Sequence, residues 1–101
     1  MSPGAKKRNY RTANYKKLLE RLPARIAALA DAQFKLFLED PTAPALNNHK
    51  IGDNTRGQHR SGTHAVSVTF RYRALYVEDG DSIVWYWIGS HEDYNDFIGG
   101  T

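Results

Sequence analysis

A chain of 101 residues, 41% hydrophobic and 25% charged, has room for one hydrophobic core and not for two. It contains no cysteine, which excludes a disulfide framework and thiolate metal sites and suits a reducing cytoplasm; no apolar run approaches the roughly 20 residues that span a bilayer. The net charge is only +3, yet residues 1–25 hold eight Lys/Arg against one acid, Glu20, while residues 78–101 hold six acids and no Lys/Arg.

Residues 1–7 read as a disordered lead-in. Their basic Lys6-Lys7 and the following Arg8 precede no apolar stretch, so a secretory leader is not expected. Arg8 to Thr12 predicts a short edge strand, whose charges suit an edge. Asn14 is the expected cap of a short helix through Tyr15, Leu18, Leu19 and Leu22. Pro23 fits the first position of a second helix. Its apolar stripe runs Ile26, Ala30, Phe34, Phe37, widened by Leu29 and Leu38. Pro41 stops this helix after Asp40, and the break at Leu22-Pro23 makes the pair a helical hairpin.

Pro41 to Asn48 predicts a loop, His49-Lys50-Ile51 the start of a strand, and Asp53 to Thr63 a polar, mobile loop. From His64 to Val77 the residues alternate. Val66, Val68, Phe70, Tyr72, Ala74 and Tyr76 fall on one face, and Ser67, Thr69, Arg71 and Arg73 on the other. The run is long enough for two strands with a tight bend near Thr69–Arg71. Asp79-Gly80 signals a two-residue hairpin. Ile83 to Ile88 is apolar on both faces and reads as the central strand, ended by Gly89. Ser90 and Asp93 have the spacing of a capping box for a last short helix through Tyr94, Phe97 and Ile98.

The order β-α-α-β-β-β, with a short C-terminal helix, predicts one α+β domain over residues 8–101. A helical hairpin packs there on a small, curved, mainly antiparallel sheet. Six Tyr, four Phe and two Trp leave aromatic packing to carry much of the burial. The charge asymmetry implies either a cationic face for RNA or an acidic partner, or mutual neutralisation of the two ends in the fold.

Several segments together resemble the RelE/ParE toxin superfamily. They are the hairpin broken at Leu22-Pro23, the segment Phe37-Leu38-Glu39-Asp40-Pro41, His49-Lys50-Ile51, the Tyr72-Arg73 pair, Asp79-Gly80-Asp81, and the ending Trp87-Ile88-Gly89-Ser90-His91-Glu92-Asp93-Tyr94. They occur in the superfamily's order. The resemblance implies the toxin of a type II toxin–antitoxin system, held inactive by a cognate antitoxin protein. Three activities follow from it. The first is ribosome-associated endoribonuclease cleavage of mRNA, which inhibits translation in the cytoplasm. The second is non-enzymatic inhibition of DNA gyrase. The third is a catalytically weak relative whose main role is binding its antitoxin. No membrane and no small-molecule cofactor are implied.

Cleaving RNA without a metal needs a base for the 2′-hydroxyl proton, cations to hold the phosphate, and an acid for the departing 5′-oxygen. The resemblance puts acid–base work on His91, where superfamily members carry Arg or His; the plainer alternative is a surface histidine supporting the cap. Arg73, at the Tyr-Arg position, is either a phosphate clamp or the partner of an acid such as Glu92. An arginine on the open face of a sheet has few structural duties. Tyr94 matches the C-terminal aromatic that acts as base or stacks on RNA; otherwise it packs with Phe97.

Lys50, Arg56, His59, Arg60, His64 and Arg71 are candidate RNA phosphate contacts, or simply solvated. Ala65 and Ser67 stand where ribosome-dependent members place Lys or Arg. That loss weakens the case for cleavage, with His64 and His59 placed to compensate. The histidines at 49, 59, 64 and 91 include no i, i+4 pair, which argues against zinc. The hairpin lacks a recognition-helix pattern, which argues against sequence-specific DNA binding. Trp85 and Trp87 lie on a strand expected to be buried on both faces, so core packing is favoured over stacking on bases.

Overall fold

The computed structural model describes residues 7–53 and 56–99; of the expected lead-in, all but Lys7 lies outside the described residues. Strand β1 (Arg8–Arg11) runs directly into helix α1 (Ala13–Glu20). Thr12 joins them. Its N–H donates to Trp85 O at 2.9 Å and its Oγ1 accepts the Tyr15 N–H at 3.1 Å. Thr12, not Asn14, is therefore the cap. It keeps the extended backbone a cap requires, φ −67° and ψ 163°, whereas Asn14 lies inside the helix and donates to Tyr86 O at 3.0 Å. Pro23 sits one place earlier than expected, at the N-cap of helix α2 (Ala24–Glu39), where its missing N–H leaves no bond unmade. Helix α2 ends just before Asp40-Pro41, with the Asp40 N–H on Leu36 O at 2.8 Å.

After a 3₁₀ turn (Pro44–Leu46) come β2 (His49–Lys50), β3 (His64–Thr69), β4 (Tyr72–Asp79), β5 (Ser82–Ser90) and helix α3 (His91–Phe97). The strands form one sheet in the order β1-β5-β4-β3-β2. The β1–β5 pair is parallel and the other pairs are antiparallel. This is the expected α+β architecture with one strand more after the hairpin. Because the run from His64 splits at Phe70-Arg71 and β2 occupies the far edge, β4 rather than β5 is the middle strand. Both have a neighbour on each side, and both carry apolar residues on both faces. The β4–β5 loop is Gly80-Asp81, with Gly80 at φ +58°. Positive φ at the first loop position matches the right-handed strand twist, and glycine adopts it without strain.

One face of the sheet carries α1 and α2. Tyr15, Ile26, Ala30, Phe37 and Leu46 pack there against Val66, Val68, Ala74, Tyr76, Trp85 and Ile88. Trp85, 2% exposed, is the hub. Its ring meets Phe37 at 4.9 Å, Tyr76 at 4.8 Å and Phe34 at 5.8 Å between centroids, and its Nε1 donates to Asn9 Oδ1 at 2.9 Å. Leu29 and Leu38 do not widen the buried stripe; both are exposed. Gln33 faces the sheet instead, its Nε2 donating to Ala45 O and Ser67 O at 3.1 and 2.9 Å. The amide satisfies backbone carbonyls that an apolar side chain would leave bare.

The opposite face carries α3. Ile51, Ala65, Leu75, Trp87 and Tyr94 form its core, with Phe97 stacked on Trp87 at 5.0 Å. A β-bulge allows this second layer. Tyr76 pairs with Trp85 and Leu75 with Trp87, so Tyr86 has no partner across the ladder. The extra residue turns the strand. Trp85 therefore enters the helical-hairpin core while Trp87, two residues on, enters the α3 core. Both tryptophans are core residues, as expected. The strand does not end at Gly89; it continues through Ser90.

Among the described residues, the basic and acidic ends are joined by one ion pair and a neighbouring backbone bond. Lys7 pairs with Glu78, and the Arg8 N–H donates to Asp81 O at 3.0 Å. Lys16, Lys17, Arg21 and Arg25 remain exposed, so a cationic surface persists on the hairpin side.

Gly89 lies under the Trp87 indole. A Cβ there would stand 2.7 Å from Cη2 of that ring, whereas one on Gly52 would meet nothing within 4 Å. Gly89→Ala should cost about 1–3 kcal/mol through forced repacking, and Gly52→Ala less than about 0.5 kcal/mol. Urea unfolding midpoints for the two variants check the contrast, and equal midpoints would refute it.

Candidate active site

The β4–β5 ladder ends at Arg73↔Gly89 and Tyr72↔Ser90. One more bond extends it, from the His91 N–H to Arg71 O at 2.7 Å. There the chain turns into α3, because Ser90 Oγ accepts the Asp93 N–H at 3.2 Å, the expected cap. The start of β4 and the end of β5 thus enclose an open cleft of about 580 Å³, lined by Phe70, Arg71, Tyr72, Arg73, Ser90, His91 and Glu92.

His91 is exposed in this cleft. Its Nδ1 lies 3.3 Å from Asn95 Nδ2. The Asn95 amide offers both a donor and an acceptor, so it can hold Nδ1 in either protonation state of the ring. Nε2 is then the nitrogen available for proton exchange. The Tyr94 ring lies 5.8 Å away.

Arg73 shares the cleft, and its guanidinium has a structural duty that the sequence did not suggest. Nη1 donates to Thr69 O, Phe70 O and Tyr72 O at 2.8, 3.1 and 3.0 Å. It pins the β3–β4 turn and forms no ion pair with Glu92. The Nη2 and Nε donors remain for a bound anion.

Tyr94 is buried among Ile51, Ala65, Leu75 and Trp87. Burial raises its phenol pKa above the ordinary 10.0, against the opposing pull of the Arg73 charge. At neutral pH it keeps its proton, which suits it to positioning and not to general-base work.

The candidate RNA contacts divide. Arg71 is exposed and lines the cleft. Lys50, Arg56 and Arg60 are exposed but outside the lining; the Arg60 guanidinium sits 5.6 Å from the Tyr86 ring centroid. His64 is half-buried and stacked on Tyr76 at 4.9 Å. His59 departs from the expectation of an RNA-facing loop residue. It is 9% exposed, with Nε2 3.0 Å from Gly52 O, because its segment folds back onto the sheet.

Several described residues of the 53–63 loop, expected to be polar and mobile, are hydrogen-bonded to the loop itself, to β5 and to α3. Asp53 accepts from Ser61 Oγ and the Gly62 N–H at 2.9 and 3.1 Å. Thr63, fully buried, bonds the Tyr86 hydroxyl at 2.7 Å. The Gln58 N–H donates to Phe97 O at 2.6 Å.

Two cleft residues escaped the sequence reading. Glu92 was read only as a candidate ion-pair partner of Arg73. Phe70 was placed by alternation on the core face, yet it is 89% exposed. The bend foreseen at Thr69–Arg71 was the available signal, since a turn residue leaves the pleat. Among the described residues, no group of three or more His, Cys, Asp or Glu gathers as a metal site would require, and no helix is long and apolar enough to cross a membrane.

A family profile described as a ParE-like toxin domain matches residues 44–96, a stretch that contains the whole cleft. No curated protein matches the chain. Among solved structures, the RelBE2 toxin–antitoxin complex from Mycobacterium tuberculosis is similar at 21% identity and TM-score 0.60, covering 86% of this chain and 100% of that one. An archaeal RelE–RelB complex from Pyrococcus horikoshii is similar at 12% identity and TM-score 0.63, covering 85% and 96%. YafQ from E. coli is similar at 11% identity and TM-score 0.63, covering 88% and 98%. At these identities the structural likeness speaks to the fold alone.

The 53–63 loop should loosen in acid. The Gly62 N–H and the Ser61 hydroxyl hold the Asp53 carboxyl below its ordinary 3.8. A carboxylate depressed in the folded state contributes stability above its unfolded pKa, and that contribution is lost as pH falls through the folded value. The Gly62 amide resonance should therefore titrate with a midpoint below 3.8; a midpoint at or above it would contradict the contact.

Proposed function

Since the chain belongs to the ParE-like toxin family, and so to the RelE/ParE toxins of toxin–antitoxin systems, we propose that it is a ribosome-associated, metal-independent mRNA endoribonuclease that inhibits translation in the cytoplasm. One observation carries this reading: the β4–β5 ladder brings an exposed imidazole, His91, and a partly occupied guanidinium, Arg73, into one open cleft.

In the proposed reaction the 2′-hydroxyl loses its proton to the Glu92 carboxylate, the acceptor in the cleft. The 2′-oxygen forms a bond to phosphorus as the bond to the 5′-oxygen breaks. The His91 imidazolium protonates that leaving oxygen from Nε2. The products are a 2′,3′-cyclic phosphate and a free 5′-hydroxyl, and no metal or redox partner enters. Arg73 holds the non-bridging oxygens as charge builds on them. Its pinned Nη1 fixes the remaining donors in place, which reduces the ordering needed at the moment of reaction. Tyr94 acts as a positioning residue for the His91 ring.

The proposed inhibitor is a cognate antitoxin, because two of the similar structures are toxin–antitoxin complexes. The exposed cations of α1 suit an acidic segment of such a partner.

A specific observation supports a second reading, gyrase inhibition without cleavage. Ala65 is fully buried under α3, so β3 presents no cation there for the ribosome or mRNA, and Ser67 is uncharged.

A translation extract separates the two. Wild-type protein should produce codon-phased mRNA ends. His91→Ala should cut at least about 100-fold more slowly while melting like the wild type, because the side chain is exposed. Intact mRNA together with trapped gyrase–DNA breaks would replace the first reading by the second.

A further inference from the structure

Phe70 is the most exposed large apolar side chain among the described residues, at 89%. A slack loop tip would make such exposure unremarkable, but this tip is braced. Arg73 Nη1 holds the carbonyls of Thr69, Phe70 and Tyr72. The Arg71 N–H donates to Thr69 Oγ1 at 3.1 Å, and Arg71 O accepts the His91 N–H at 2.7 Å. The ring is thus presented on a rigid mount that is bonded to the first residue of α3, and it lines the same cleft as His91. Tyr94, for which stacking on RNA was one of the alternatives, is buried and offers no open face.

We propose that Phe70 is the platform on which a nucleobase beside the scissile phosphate stacks, with Arg71 contacting the adjoining phosphate. This rests on the nuclease reading of the cleft. An aromatic ring that shares a cleft with two arginines fits a polyanion whose bases are flat and π-rich, since stacking and phosphate contact are then satisfied by one chain. An apolar anchor from a protein would satisfy the ring but leave both cations unused. Stacking reads no base edge, so the site tolerates every base and favours purines through their larger overlap.

Two measurements on the full chain test this. The first titrates protein into a short single-stranded RNA carrying 2-aminopurine beside a 2′-O-methyl nucleotide that blocks cleavage. Wild type and Phe70→Trp should quench the fluorescence; Phe70→Ala and Phe70→Leu should bind roughly 10- to 100-fold more weakly. The second maps mRNA ends in a translation extract, where the same order of variants is expected. All variants should melt alike, because the side chain is exposed. Leu matching wild type would show a merely apolar contact, as for a protein partner, and would overturn the proposal, as would equal quenching by Phe70→Ala or none by wild type. Quenching by wild type with intact mRNA would keep the stacking platform and remove the nuclease. Cutting that is indifferent to Phe70 would do the reverse.

Discussion

The arrangement of this molecule depends on one extra residue in β5. A strand without a bulge would place Trp85 and Trp87 on the same side. With Tyr86 unpaired, one indole closes the helical-hairpin layer and the other closes the α3 layer. Tyr86 itself bridges the layers. Its carbonyl takes the Asn14 amide from α1, and its hydroxyl holds Thr63 and the Arg60 N–H. The bulge also sets how the strand leaves the sheet, and so how Ser90 and His91 meet the β3–β4 turn. The cleft is a downstream result of that local insertion.

Arg73 links stability to chemistry. One nitrogen of its guanidinium secures the turn that carries Phe70 and Arg71; the others stay available to an anion. A lysine has no fixed fork with which to do both. The same residue opposes the rise in the Tyr94 pKa without cancelling it. The imidazole therefore sits beside a neutral phenol and not a phenolate. In the proposed reaction the proton transfers fall to the exposed rim of the cleft, at His91 and Glu92, with a packed aromatic floor behind it.

The sequence made the order of elements legible because its punctuation was strong: Pro23, Pro41, Gly80 and the Ser90–Asp93 spacing each act within a few residues. It also pointed to His91 and Arg73, through the positions they share with a superfamily. What it hid depended on partners distant in the chain. Thr12 outcompetes Asn14 as a cap because β5 holds its backbone extended. Gln33 replaces Leu29 on the buried face because two carbonyls await it. Phe70 obeyed the alternation in the chain but not in space, since the turn took it out of the pleat. His59 looked like a loop residue until the loop was seen bonded to Phe97 and to the sheet. Periodicity reports one element at a time, and each of these outcomes was decided between elements.

The parallel pairing of β1 with β5 has a consequence for when the protein becomes itself. Arg8 meets Ser82 and Arg11 meets Trp85, so β1 waits for both helices and strands β2 to β4 to be made before it has a neighbour. Closing so long a loop is entropically costly and slow. The residues of α3, His91 included, leave the ribosome later still. A nascent chain can therefore gather its helical hairpin early, yet the cleft is assembled only after β5 and His91 have emerged. The sheet's outer edge is thus the last part of the layer to close, and the local hydrogen bonds of the hairpin precede the long-range pairing that completes it.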